Sequence, residues 1–301
     1  MNIKNAANTT RYAWLKLALK IVVSGVCIGY ISTKIDFSKA GSVVRQADGW
    51  YLFTALLFFI GSKWVSAIRL QQYFSNIHLP VSNIENLRLY WLGMFYNLFL
   101  PGAISGDIYK VLLLSKKYRT PYKLLTGAVL LDRFSGLLGL GILLAWLAFF
   151  APLPSFLPWL LCLGAVVSTL LFYSVLRKFF PDFRGSFSST LLLGLAVQAI
   201  QLAAVYLIMR SLDINLLIPA YLFLFLLSSA AAVLPLSIGG LGIRELVFLQ
   251  GATFFHTNGE TAVLVSLLFY LITLMTSGIG AVWLFKNPLN EKGPSDEPLI
   301  S

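Results

Sequence analysis

The sequence predicts an all-α polytopic membrane protein, with six full spans and two re-entrant helical hairpins in two inverted-topology halves. Three observations carry that prediction. Hydrophobic residues make up 58% of the 301, charged residues only 12%, and mean hydropathy is +0.80, a composition soluble domains do not carry. Several apolar runs reach about 20 residues, the length that crosses roughly 30 Å of hydrocarbon. Two runs are broken by proline and glycine at equal spacing, Pro101 to Gly106 and Pro235 to Gly240, in corresponding places along the chain. The chain is expected to form a single integral membrane domain, with inverted halves of about residues 11–150 and 156–286.

A first span, 14–31, follows Arg11 and carries Lys16 and Lys20. No small-residue cleavage site follows it, so it is expected to stay as a signal anchor. The second, 50–73, opens with Trp50-Tyr51, an interfacial pair. Lys63, near its middle, is costly in lipid and is expected to face the protein interior or a polar cavity, whereas Arg69 is expected to snorkel to the interface. Residues 87–100 and 108–114 flank the Pro101–Asp107 break, and the second arm is too short to cross alone. A hairpin follows, because lipid tolerates only helices whose backbone groups are satisfied internally. Lys116, Lys117, Arg119 and Lys123 form the densest basic cluster and mark the cytoplasmic side.

The third span, 124–150, contains Asp132-Arg133 and then Gly136, Gly139 and Gly141, a spacing that permits close helix packing. The loop 151–155 has two prolines and no charge, which suits the outside. The fourth span, 156–176, returns to Arg177, Lys178 and Arg184. The fifth, 191–209, places Gln198 and Gln201 on one face, where they are expected to hydrogen-bond across helices. Residues 216–234 and 246–255 form the second hairpin, whose flank 255–260 lacks Lys and Arg and therefore reads as external. The sixth span, 262–285, ends at Lys286, and 287–301 is expected to be a disordered cytoplasmic tail.

With both termini cytoplasmic, the order span, span, cytoplasmic hairpin, span is followed by span, span, external hairpin, span. Inverted repeats with broken helices in corresponding positions are a transporter architecture, in which the breaks meet near the midplane and form the substrate site.

Several function classes are excluded. The net charge of +11 is distributed over loops and span ends as membrane topology requires, so no nucleic-acid partner is expected. Cys27 and Cys162 lie inside apolar runs and read as small hydrophobes rather than a disulfide. His78 and His256 lack partners at ligand spacing, so neither a metal nor a cofactor is expected. No phosphate-binding loop of the nucleotide-hydrolase type is present, and transport would be passive, ion-coupled or driven by a partner.

The candidate site centres on Leu234-Pro235-Leu236-Ser237-Ile238-Gly239-Gly240-Leu241-Gly242-Ile243-Arg244-Glu245. Pro235 stops a helix, and Gly239, Gly240 and Gly242 favour a break with close backbone approach. A helix starting near Gly242 would offer free N–H groups and the positive end of its dipole, with Arg244 in the first turn, an arrangement suited to an anion. The planar fork of Arg244 matches phosphate oxygens, and Glu245 would orient it or meet a cationic part of a substrate. The plainer alternative is that both charges neutralise partners elsewhere in the bundle. Asp107 and Lys110, at i, i+3 after the first break, form either a salt bridge near the interface or part of the same site. Asp132 and Arg133 leave one helix at different azimuths, so each needs its own partner.

At these residues the chain resembles the lysylphosphatidylglycerol synthase transmembrane-region family, also called flippase-like membrane proteins. The signatures are Asn97-Leu98-Phe99-Leu100-Pro101-Gly102 with Gly106-Asp107 and Lys110, then Leu131-Asp132-Arg133, and the long glycine-rich motif ending in Arg244-Glu245. The resemblance covers nearly the whole chain. It implies a bacterial inner-membrane protein that moves or handles a lipid with a phosphate-bearing headgroup, a membrane phospholipid or a polyprenyl-phosphate lipid. The bifunctional synthases carry a large soluble aminoacyltransferase domain after the membrane part, and here only about fifteen residues follow the last span. Aminoacyl transfer is therefore not expected of this chain. Two other readings stand beside translocation. One is a membrane enzyme such as a glycosyltransferase acting on a polyprenyl phosphate, although no Asp-x-Asp or His-x-x-x-His motif is present. The other is a scaffold for a lipid-modifying enzyme partner, for which Arg244 would be dispensable.

Overall fold

The computed structural model describes residues 45–99, 105–233, 237 and 239–289, with the isolated positions 22, 25, 29 and 33, and every element in them is helical. Five helices are long and apolar enough to cross a membrane: Gly49–Asn76, Tyr122–Leu147, Phe156–Phe179, Pro181–Ser211 and Gly259–Phe285. The span expected at 14–31 and the corners of both breaks, including Pro101 and Pro235, lie outside the described residues, apart from positions 22, 25 and 29.

Helix α1 (Gly49–Asn76) starts where the Asp48 carboxylate accepts the Trp50 N–H at 2.8 Å, and it leaves the Trp50 side chain exposed at its end. Helix α2 (Asn83–Phe99) begins four residues before the expected arm. Ser82 and Glu85 form a capping box there: the Ser82 N–H and hydroxyl donate to Glu85 Oε2, and the Glu85 N–H donates back to Ser82 Oγ. Helix α3 (Ser105–Tyr118) runs on through Lys116 and Lys117, and the Lys117 ammonium returns to Glu85 Oε1 at 2.9 Å, tying the open end of the helix pair. At 1.5 Å per residue, α2 and α3 reach about 25 and about 21 Å, still short of the hydrocarbon thickness.

Helix α4 (Tyr122–Leu147) leads through a proline-containing loop to α5 (Phe156–Phe179). A 3-10 turn, Pro181–Ser186, then opens α6 (Phe187–Ser211). Helices α7 (Ile218–Val233) and α8 (Ile243–Phe254) flank the second break. Helix α9 (Gly259–Gly278) is capped by the Asn258 side chain and continues through a 3-10 turn, Ile279–Ala281, into the short α10 (Val282–Phe285).

Helices α1 and α6 run antiparallel along their whole length. The Asp48 N–H donates to the Ser211 carbonyl at one end, and the Tyr73 hydroxyl bonds Thr190 Oγ1 at the other. Between lipid-facing helices the hydrophobic effect supplies no drive, so close packing of small residues must do so. Gly139 of α4 meets Gly194 of α6 so closely that a Cβ on Gly139 would lie 2.6 Å from the Gly194 carbonyl carbon. Gly141, two residues further on, faces open space. Helix α5 stands at the rim, with Phe156, Trp159, Leu163, Val167 and Leu171 exposed to the surroundings and few of its residues buried.

Two large clusters make up most of the apolar interior, beside a small one of Leu249, Val263 and Leu264. One cluster joins Leu70 and Tyr73 of α1 to Leu89, Leu114, Leu125, Leu176 and Phe183 at the basic end of the molecule. Leu289, which the sequence put in the tail, is buried in that cluster. The other cluster joins Phe59 of α1 to Leu144, Ile208, Phe225, Phe248 and Phe269. Between them runs a polar layer in which Ser62, Ser66, Arg69, Asp132, Ser135, Gln198 and Gln201 are all buried.

Candidate functional site

Charged and polar side chains flank both breaks. At the first, the Asn97 side chain spans the corner by accepting the Gly106 N–H at 2.9 Å. The arms then cross at two glycines, since a Cβ on Gly106 would fall 2.1 Å from the Gly93 carbonyl oxygen. Asp107 is buried and takes two cations: Lys110 Nζ at 3.1 Å on its own helix, and the Arg133 guanidinium of α4. Lys110 also lies 4.7 Å from the centre of the Tyr90 ring. The i, i+3 pair is therefore real and belongs to a three-residue cluster of one acid and two bases.

Asp132 turns the other way and pairs with Arg69 Nε of α1 at 2.8 Å. Arg69 does not snorkel: it is 5% exposed, with its Nη1 atom buried against Gly136, where a Cβ would come within 2.7 Å. The glycine leaves a slot for the guanidinium and Asp132 supplies the charge, two facts that no single-helix hydropathy reading contains. Gln198 and Gln201 reach Gly136 O and Ser62 Oγ on neighbouring helices at 3.5 and 3.4 Å.

At the second break, Gly239, Gly240 and Gly242 have φ of +60°, +86° and +88°, a left-handed backbone that glycine adopts without steric cost. Glu245 is 2% exposed and wholly engaged. It accepts the Gly242 N–H at 2.6 Å, closing the first turn of α8, and the Ser266 hydroxyl of α9 at 2.8 Å. It is a helix cap, and it makes no ion pair with Arg244. The Arg244 guanidinium instead lies along Gly240, donates to Ser229 Oγ of α7 at 3.1 Å and stands 5.4 Å from the centre of the Phe269 ring. Among the described residues no carboxylate forms an ion pair with it.

The site residues named from sequence thus fall into two groups, Asn97, Asp107, Lys110 and Arg133 at one break, and Gly240, Gly242, Arg244 and Glu245 at the other. Asp132 belongs to a third pair between them, and Pro101 lies outside the described residues. The two groups are joined where Leu98, in the last turn of α2, packs on Gly239. Sequence reasoning did not name Ser229, Ser266 or Phe269, small polar and aromatic residues on apolar helices that carry no signal until a partner faces them. Two apolar recesses open between the helices. One, of about 280 Å³ between α3 and α4, has Asp107 and Arg133 on its wall. The other, of about 680 Å³, lies among Leu144, Leu153, Phe223, Leu246 and Phe254. The first sets hydrocarbon surface beside the Arg133 guanidinium. Among the described residues no group of three His, Cys, Asp or Glu side chains is arranged to hold a metal.

No curated protein matches the chain. The family model described as the lysylphosphatidylglycerol synthase TM region matches residues 17–280, and the chain belongs to that family, as a multi-pass membrane protein of lipid metabolism or transport.

Proposed function

We propose that the chain is a lipid translocase whose substrate carries a phosphate-bearing headgroup, and that Arg244 is the phosphate ligand. The observation that carries the reading is the electrostatic state of Arg244. Arg69, Lys110 and Arg133 each form an ion pair with an acid, whereas among the described residues the Arg244 guanidinium bonds a hydroxyl and faces a ring, with the Glu245 charge acting on it only from a distance. A cation at membrane depth costs about 2.5 to 3.5 kcal/mol on insertion scales, and a bound phosphate offsets that cost. The Leu98–Gly239 contact supports a shared site, because it sets the two breaks side by side. The apolar recesses support a path in which acyl or prenyl tails stay in hydrocarbon while the headgroup crosses the polar layer.

In this reading the halves are inverted repeats, with α2–α3 and α7–α8 as re-entrant hairpins that open alternately to the two sides. The protein sits in the bacterial inner membrane with both termini in the cytoplasm. The test is headgroup exposure in reconstituted vesicles containing a headgroup-labelled phosphatidylglycerol. Arg244→Lys keeps the charge but loses the bidentate fork, and it should slow translocation about tenfold to a hundredfold, the scale of a charged hydrogen bond worth about 1.5 to 3 kcal/mol. Its melting temperature should stay within a few degrees of wild type. Wild-type movement by a folded Arg244→Ala variant would overturn the reading and leave a scaffold for a lipid-modifying enzyme ahead.

A further inference from the structure

Helices α3 and α4 enclose the smaller recess, of about 280 Å³, and its walls divide by chemistry. Ile108, Val111 and Leu112 of α3 and Val129 and Leu130 of α4 line it with hydrocarbon, and the Asp107–Arg133 ion pair stands on the same wall. Ile108, Leu112 and Leu130 are also exposed, so the recess opens sideways to the surroundings of the bundle. Tyr122 is exposed at the basic end of the recess, and Arg133 lies about three turns deeper along α4. The two cations on Asp107 are not equivalent. Lys110 is bonded within α3 and its side chain is 7% exposed, whereas Arg133 reaches across from α4 and is 32% exposed. If Arg133 leaves, Asp107 is still paired with Lys110. Asp132, the next acid along α4, is held by Arg69. One acid therefore serves two cations here, and a further negative charge can take Arg133 without leaving any of the three groups unpaired.

Size and wall chemistry select the occupant. A helix is about 10 to 12 Å across, so a single turn already exceeds this volume. Helices in membranes also pack on small residues, of which Thr126 alone lines the recess among the described residues. A free anion gains nothing from walls of Ile, Val and Leu, whereas an anionic lipid uses both parts, its chain on the hydrocarbon and its charge on the guanidinium. We propose that the recess holds one chain of an anionic membrane lipid whose headgroup takes Arg133 from Asp107, which makes Arg133 an exchangeable anion arm at a lateral opening of the bundle. The planar fork suits that exchange, because it pairs with carboxylate and phosphate oxygens alike. A zwitterionic headgroup brings its own cation and gains less. The bridge that is given up joins α3 to α4, so lipid entry also unties the first helix pair from its neighbour at this level. The site lies at the first break and does not depend on what Arg244 binds.

Photolabelling of the full chain in phosphatidylcholine vesicles tests this. The probe is a trace of phosphatidylglycerol or of phosphatidylcholine with a diazirine on one acyl chain, and adducts are located by peptide mass spectrometry. On wild type, phosphatidylglycerol should label Ile108, Leu112, Thr126 or Leu130 with about tenfold the yield of phosphatidylcholine, the scale of one charged hydrogen bond. Arg133→Gln should bring the phosphatidylglycerol yield down to that of phosphatidylcholine and leave phosphatidylcholine itself unchanged, while Arg133→Lys should keep part of the preference. Asp107→Asn removes the competing acid and should raise the phosphatidylglycerol yield about twofold or more. A bridge that only holds the fold together predicts no such gain. Equal yields from the two lipids on wild type would overturn the proposal, and that comparison needs no variant to fold. An unchanged ratio in folded Arg133→Gln, or no gain in folded Asp107→Asn, would overturn it as well. Absence of recess adducts from either lipid would mean that no lipid chain lies there. Excess inorganic phosphate that erases the preference would leave a site for free anions and remove the lipid. The translocase reading fails separately, on headgroup exposure in Arg244→Ala, and recess labelling does not bear on it.

Discussion

Leu98 packs directly against the backbone of Gly239: a Cβ on Gly239 would sit 2.2 Å from Leu98 Cδ1. One residue lies in the last turn of the helix before the first break and the other lies in the second break, so this contact joins segments at two chain interruptions from opposite halves of the sequence. The missing side chain makes the approach feasible, and the φ of +60° makes glycine the residue that fits.

Gly239→Ala should therefore destabilise the protein twice over, by about 1 to 2 kcal/mol for the left-handed backbone and by the displacement of Leu98. Leu98→Ala in the same chain relieves the clash but not the backbone cost, so the double variant should recover part of the loss. Thermal unfolding in detergent, read as a double-mutant cycle, should give a coupling of about 0.5 kcal/mol or more. Additive effects would mean that the two residues do not touch.

Arg69 and Asp132 lead to a sharper expectation, because both are buried in the polar layer. Removing one partner of a buried ion pair strands the other charge and costs about 3 to 5 kcal/mol, while replacing both with apolar residues of similar volume is often nearly neutral. Asp132→Leu and Arg69→Met should each lower the melting temperature strongly, and the double variant should regain most of it. Single variants that unfold like wild type would place the pair in contact with water.

How much of this was legible beforehand depended on whether a residue's role is set within its own helix. The spans at Tyr122–Leu147 and Phe156–Phe179 followed from composition alone, since crossing hydrocarbon needs no knowledge of a neighbour. Arg69 was not legible, because its partner lies on another helix and its slot is the absent side chain of Gly136. Gly139 and Gly141 belong to one glycine run, yet of the two only Gly139 faces α6. The start of α2 was written in Ser82 and Glu85, a capping box that hydropathy overlooks because both residues are polar. Glu245 looked like a site acid from its place beside Arg244, and its role as a cap depended on where α9 sets Ser266.

That role yields its own prediction. Glu245→Gln keeps an oxygen for the Gly242 N–H, so it should cost little, whereas Glu245→Ala leaves both that N–H and the Ser266 hydroxyl without an acceptor. The alanine variant should lose about 1 to 3 kcal/mol per stranded group, with Ser266→Ala falling between the two. If Glu245 instead met a cationic part of a substrate, Glu245→Gln would abolish lipid movement while leaving the melting temperature unchanged.

The membrane orientation can be read from four exposed positions that the fold sorts into two ends. Lys116 and Arg184 adjoin the apolar cluster built on Leu114 and Phe183, whereas Ser155 and Asn258 adjoin the cluster that contains Ala151 and Phe255. The first end carries the dense basic residues and should face the cytoplasm, since positive loops are retained on that side. Single cysteines at Lys116 and Arg184 should therefore react with a membrane-impermeant maleimide only after the cells are opened. Cysteines at Ser155 and Asn258 should react in intact spheroplasts. Asn258 caps α9 through the Thr261 N–H, so its replacement costs about 1 kcal/mol, small enough to leave the fold in place. Labelling of Asn258→Cys from the cytoplasmic side would put the second helix pair on the same side as the first. The inverted arrangement, and alternating access with it, would then fall, even if Arg244 still bound phosphate.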